Sequence, residues 1–119
     1  MIAPIDSDFR PLTKAEHRVL VHLLVNDFPG RDELLCQLKY VSAKTTHPDG
    51  SLIIRCLGGP RAPVKFHLVV DAEAMDSDNW PISVMLFAFD GFLSRLDIVK
   101  SNGSDVIDPI SPEAINVPP

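Results

Sequence analysis

The side chains able to do chemistry in this 119-residue chain are Cys36 and Cys56, His17, His22, His47 and His67, Ser51, Ser94 and Ser104 near glycines, and a crowd of carboxylates over 71–78. Zinc takes its ligands at spacings such as C-x-x-C or H-x-x-x-H, which bring two donors to one face of a turn. No cysteine or histidine is so placed. His17 and His22, five apart on a predicted helix, point roughly 140° away from each other. Histidines at or just below the surface are the simpler reading. Cys36 and Cys56 lie twenty positions apart and read as two buried thiols of a reducing compartment, not as a disulfide.

A serine nucleophile needs the strained elbow G-x-S-x-G between strand and helix. Ser94 follows Gly91 in a strand pattern, and Ser51 and Ser104 follow glycines in turns, so all three read as turn or strand residues. A phosphate cradle would put G-x-G-x-x-G or G-x-x-x-x-G-K before a helix, whereas Gly58-Gly59-Pro60 precedes a strand. The expectation is a non-enzyme with no cofactor and no metal. An enzyme would need a concave pocket that holds His67 and a carboxylate.

Asp71, Glu73, Asp76 and Asp78 fall within eight residues that contain no base. Their order departs from the D-x-D-x-D-G loop that holds calcium. A solvated loop is the plain reading, and a docking surface for a basic partner is the functional one. Trp80 follows directly, either as a core residue or as an aromatic anchor of the kind that carries binding energy at interfaces.

The elements that must position these groups belong to one domain, residues 1–119, whose 45% hydrophobic composition can build a core without disulfides. Residues 1–12 form an arm that docks through Ile2, Ile5 and Phe9. Thr13 and Glu16 make a capping box, and Ala15, Val19, Leu20, Leu23 and Leu24 follow at helical spacing until Pro29-Gly30 stops the helix soon after Asn26. Asp32 caps a shorter second helix with Leu34, Leu35 and Leu38 on its apolar edge. Tyr40 to Leu57 then reads as strand, turn, strand around His47-Pro48-Asp49-Gly50. Val64, Phe66, Leu68 and Val70 alternate in a further strand, and Asp71 to Asn79 is a loop.

Asp90-Gly91 predicts a type I′ turn that sets Phe89 opposite Phe92 in a hairpin over Pro81 to Val99. Period two puts Met85, Phe87, Phe89, Phe92, Leu96 and Ile98 on one face. The other receives Ile82, Val84, Leu86, Ala88, Leu93 and Val99, with Arg95 and Asp97. The β-branched residues of 101–119 suggest an extended segment that roofs this second face through Ile107, Ile110 and Ile115. The fold class is α+β: two N-terminal helices on a largely antiparallel sheet of about five strands, the core spanning 13–100.

The formal charge of −5 lies wholly in the second half, since residues 1–60 carry seven basic and seven acidic side chains and residues 61–119 carry four and nine. Such a balance disfavours nucleic acid and steers a basic protein toward the acidic half. No apolar run is long enough to span a bilayer, so a membrane partner is not expected and a cytoplasmic location is.

Arg10-Pro11-Leu12-Thr13 with Glu16, Leu35 to Leu38, Gly50-Ser51-Leu52 and Asp90-Gly91-Phe92-Leu93-Ser94-Arg95-Leu96-Asp97-Ile98 together resemble a family of small bacterial domains of unknown function. Its closing hairpin usually reads D-G-x-L-S-x-L-E-I, with Asp97 here in place of Glu. The resemblance covers most of residues 10–110, and its motifs are a cap, a turn and a core. Small acidic domains of this kind look like immunity proteins, which neutralise a bacterial toxin by covering its active site. The resemblance thus implies a partner: a cognate toxin domain with a basic surface. The contacts expected are Asp71, Glu73, Asp76, Asp78 and Trp80, with Arg95 and Asp97 on the hairpin. The alternative is a non-catalytic domain that binds a small molecule or forms a homodimer through the hairpin's second face.

Overall fold

The computed structural model describes residues 8–119, so the expected docking of Ile2 and Ile5 lies outside the described residues. Helix α1 (Lys14–Leu23) opens on Thr13, whose hydroxyl accepts the Glu16 N–H at 3.1 Å while the Glu16 carboxylate accepts the Thr13 N–H at 2.9 Å. Arg10 grips the same carboxylate with two N–H groups at 2.7 and 2.8 Å. Helix α1 buries Leu20 and Leu23. Helix α2 (Arg31–Gln37) starts from Gly30 in the left-handed region, φ 99°, and not from Asp32. Asp32 instead sits in the first turn, where its carboxylate pairs with Arg31 at 2.9 Å.

Five strands, β1 (Val41–Thr45), β2 (Leu52–Cys56), β3 (Leu68–Met75), β4 (Pro81–Phe89) and β5 (Phe92–Lys100), make one antiparallel sheet in the order β1-β2-β5-β4-β3. The α+β class with two helices and five antiparallel strands agrees with the sequence. One boundary does not: the expected loop from Asp71 is strand as far as Met75, because Val70, Ala72 and Ala74 bury alternate side chains against the core. Phe66, expected in that strand, precedes it and is exposed.

The β4–β5 turn is the expected one, with Asp90 at φ 53°, Gly91 at φ 84° and Phe89 opposite Phe92. A Cβ on Gly91 would lie 2.5 Å from Cγ of Arg61, so glycine is needed for space as well as for φ. The face assignment requires correction. Leu93 pairs with Ala88 and Arg95 with Phe87, so Ser94 is an extra residue, a bulge that reverses the parity of everything after it. Leu96 and Ile98 therefore join Ile82, Val84, Leu86, Ala88 and Leu93 on the buried face. Arg95, Asp97 and Val99 move to the face of Met85 and Phe87.

Both helices share one core with the buried face, Leu20, Leu23, Leu24, Leu34 and Leu38 clustering with Leu52, Ile54, Val84, Leu86 and Leu96. Residues 101–119 lie on this same side, with Ile115 buried and Val106 and Ile110 against the core. They include a 3₁₀ turn, Pro112–Ala114, and are fastened to α1 by an Arg18–Glu113 ion pair and by His22, whose Nε2–H donates to the Ile115 carbonyl at 2.8 Å. The segment thus roofs the expected face, that of Val84, Leu86 and Leu93, but shares it with the helices, and Ile107 stays 59% exposed instead of packing there. Arg10 bridges the outer edge of β1 at Ala43, and Asn116 bridges the outer edge of β3 at Glu73, which shields backbone groups that edge strands otherwise present.

Candidate functional site

With helices and C-terminal segment on one side, the other side of the sheet is left largely open among the described residues, with Asp8 and Phe9 against it at Lys44 and Arg55. Strand register lays out its side chains in rows. One row crosses all five strands as Lys44, Ile53, Arg95, Phe87 and Leu68. The next holds Asp97, Met85 and Asp71, and the one after it Val99, Ser83 and Glu73. Phe89 and Phe92 close the turn end. Large apolar side chains are exposed at its centre and ends: Ile53 41%, Val99 51%, Met75 54% at the end of the edge strand and Phe89 66% at the turn, with Met85 and Phe87 half-buried between them.

The charges on this face are arranged unequally. Arg95 lies with its guanidinium 4.5 Å from the Phe87 ring centre and forms an ion pair with Asp97, Nε to carboxylate oxygen 3.0 Å. Arg55 stacks on Phe9 at 4.6 Å, and Lys44 pairs with Asp8 at 3.4 Å. The cations near the centre and the β1 side are therefore engaged within the molecule. Asp71 and Glu73, exposed on β3, have no ion pair among the described residues. Around the turn, His67 stacks at 5.6 Å on Phe89, and Arg61 lies 5.6 Å from the Phe92 ring. The face is an aromatic and aliphatic platform with an acidic margin.

The expected contact set divides here. Asp71, Glu73, Arg95 and Asp97 share the bare face, although Asp97 is partly covered by Arg95. Asp76 does not: it is only 5% exposed, because it continues the inward parity of Ala72 and Ala74 beyond the strand. Its carboxylate meets the Lys100 ammonium at 2.9 Å and accepts the Ile107 and Ser77 N–H groups, each at 2.8 Å. Asp78 takes the same ammonium at 2.6 Å and the Trp80 N–H at 3.2 Å. Lys100 itself faces inward because it follows Leu96 and Ile98 in the parity that the bulge establishes. The Lys100 ammonium holds both carboxyls below the ordinary carboxylate range, helped at Asp76 by the Ile107 amide, and the two acids raise Lys100 in return. Asp76 and Asp78 are thus a clamp on the C-terminal segment. Trp80, read first as core, is 48% exposed at the end of the β3–β4 turn.

Several of the remaining chemical candidates have structural partners, and the cysteines, expected to be buried, are each only partly so. The Cys56 thiol donates to the Gly58 carbonyl at 2.9 Å, both cysteines are free, and His47 lies 3.1 Å from the Thr46 hydroxyl. Ser51, expected as a plain turn residue, is buried; its hydroxyl accepts the Ile98 N–H at 3.0 Å and so extends the short β2–β5 pairing. Gln37 was not singled out by type or spacing, yet it is fully buried among three backbone partners. A polar residue directly before Leu38 at the end of an apolar helix edge was the available signal.

No protein-family model, curated protein or solved structure matches the chain. Among the described residues, no helix is long and apolar enough to cross a membrane.

Proposed function

We propose that this protein is a non-catalytic binding module of the immunity type, which covers a cognate bacterial toxin domain with its bare sheet face and acts in the cytoplasm. The observation that carries the reading is that face. A monomer rarely leaves Ile53, Phe89, Val99 and Met75 exposed together on one surface without a use for them. Its aromatic and methionine side chains and its arginine are the residue types enriched where proteins meet. Asp71 and Glu73, without an ion pair among the described residues, supply the match for a basic partner. Arg95, held over the Phe87 ring and paired with Asp97, is ordered before binding and so loses little freedom on contact.

Within this reading the contacts are Asp71, Glu73, Arg95, Asp97 and Phe87, with Trp80 at the rim, while Asp76 and Asp78 support the surface from within. The test is titration calorimetry against the C-terminal domain encoded by the neighbouring gene. Binding in the nanomolar range is expected, at least a hundredfold weaker in Asp71→Lys/Glu73→Lys and in Arg95→Glu, and unchanged in Asp32→Lys on the helical side. Absence of binding, or equal loss in Asp32→Lys, overturns the reading.

A further inference from the structure

On the opposite side of the molecule, and independent of the proposed function, a cleft of about 280 Å³ opens between α1, the β1–β2 turn and residues 106–110. Its floor is the sheet, through Val84, Leu96 and Ile98, and its walls include Val19, Val106 and Ile110. The cleft opens to solvent along Ala15, Ile107 and Asp108, which are exposed, and its deeper lining is aliphatic. Helix α1 contributes its smallest side chain, Ala15, to the lining.

The polar groups at the cleft are all of one sign. Glu16, Asp49 and Asp108 line it and, among the described residues, no lysine, arginine or histidine does. Glu16 is spent on Arg10 and on the Thr13 N–H. Asp49 uses one oxygen for the Ser51 N–H, and the Asp108 carboxylate has no side-chain partner among the described residues. Two carboxylates are thus available to a cation above an apolar floor.

We propose that this cleft binds an amphipathic cation, a primary ammonium on an aliphatic body. An apolar cavity of about 150 Å³ takes a six-carbon ring, so this cleft has room for about ten to twelve heavy atoms. The hydrocarbon body lies against the partly buried Val19, Val106 and Ile110 above Ile98, and the ammonium sits at the rim by Asp49 and Asp108. Residues 106–110 form the roof, and the Asp76 clamp on Ile107 and Asp108 holds that roof in place.

The experiment is a titration of the full chain with n-octylammonium below its micelle concentration, beside n-octanoate and n-octanol, read by calorimetry and by methyl NMR shifts. Expected are saturable binding of the amine, at least tenfold weaker binding of octanoate, an intermediate affinity for octanol, and shifts at Val19, Val84 and Ile110. Asp49→Asn/Asp108→Asn weakens the amine at least fivefold. Ala15→Phe, a change at an exposed position of α1, abolishes binding with an unchanged circular dichroism spectrum. No saturable binding, octanoate or octanol equal to the amine, shifts confined to other surfaces, or undiminished binding in a folded Ala15→Phe protein each overturn the proposal.

Discussion

Gln37, wholly buried at the end of α2, accepts the backbone N–H of Leu93 at 2.9 Å, beside the bulge in β5. Its amide nitrogen donates to the carbonyls of Pro60 and Gly91 at 2.7 and 2.8 Å. One side chain so joins helix, loop and hairpin turn. Gln37→Leu keeps the apolar bulk but orphans the Leu93 N–H and the Pro60 carbonyl, at about 1–3 kcal/mol for each unsatisfied group. A loss of about 2–4 kcal/mol in urea unfolding is expected. In Gln37→Glu the carboxyl must stay protonated to face two carbonyls, which raises its folded pKa above the unfolded value near 4.3. Stability of that variant then falls as pH rises above about 4, relative to the parent.

The bulge admits a sharper test by deletion. Without Ser94, Leu93 still faces inward, Arg95 outward and Leu96 inward, since the pair of strands becomes regular. The deletion variant is expected to fold, with unchanged far-ultraviolet circular dichroism. Removing Asp97 instead turns Ile98 outward and carries Lys100 off the clamp. That variant is expected to be insoluble or unfolded.

The clamp sets the acid limit of stability. Asp76 and Asp78 have folded pKa values below their unfolded ones, so their contribution is complete above about pH 4, the unfolded carboxylate value, and is lost as pH falls from there. Lys100 is raised, so its contribution is complete below its unfolded value of about 10.4 and is lost only as pH rises past it through the folded value. Urea midpoints are expected to be level from about pH 5 to 9 and to fall below 4. Lys100→Met lowers the midpoint far more at pH 7 than at pH 3, because only at pH 7 does it leave a buried carboxylate without its counter-ion. In the same variant the Ile107 amide, which donates to Asp76, loses protection from hydrogen exchange.

Thr13→Ala removes the hydroxyl that accepts the Glu16 N–H and is expected to cost about 1 kcal/mol by urea unfolding. Thr13→Ser, which keeps the acceptor, costs less than half of that.

The parts of the fold legible in the sequence are those decided within a few residues. The capping box depends on Thr13 and Glu16 alone, and the type I′ turn on Asp90 and Gly91. Face assignment failed past Ser94 because a bulge is fixed by both strands, and Ser94 differs in no local way from a regular strand residue. The clamp was hidden for a related reason: Lys100 and Asp76 look like surface charges until parity on two separate strands turns both inward. Gly30 supplanted Asp32 at the start of α2 because its left-handed backbone lets the chain reverse beside Val64, a contact made far away in sequence. Of the candidate site, Asp71, Glu73, Arg95 and Asp97 were identified by charge, but their common surface emerged only with the register.

Strands β2 and β5 share only two ladder pairs, Leu52 with Leu96 and Ile53 with Arg95, extended by the Ser51 hydroxyl on the Ile98 N–H, while β5 runs beside β4 along nearly its whole length. The sheet is therefore a three-strand meander to which a separate hairpin is welded by a narrow seam. Mechanical or thermal loosening should begin there, and the β1–β2 arm should detach while the meander persists. In refolding the order reverses: the meander assembles from neighbours in the chain, and the arm, whose mates lie some forty residues away, docks last.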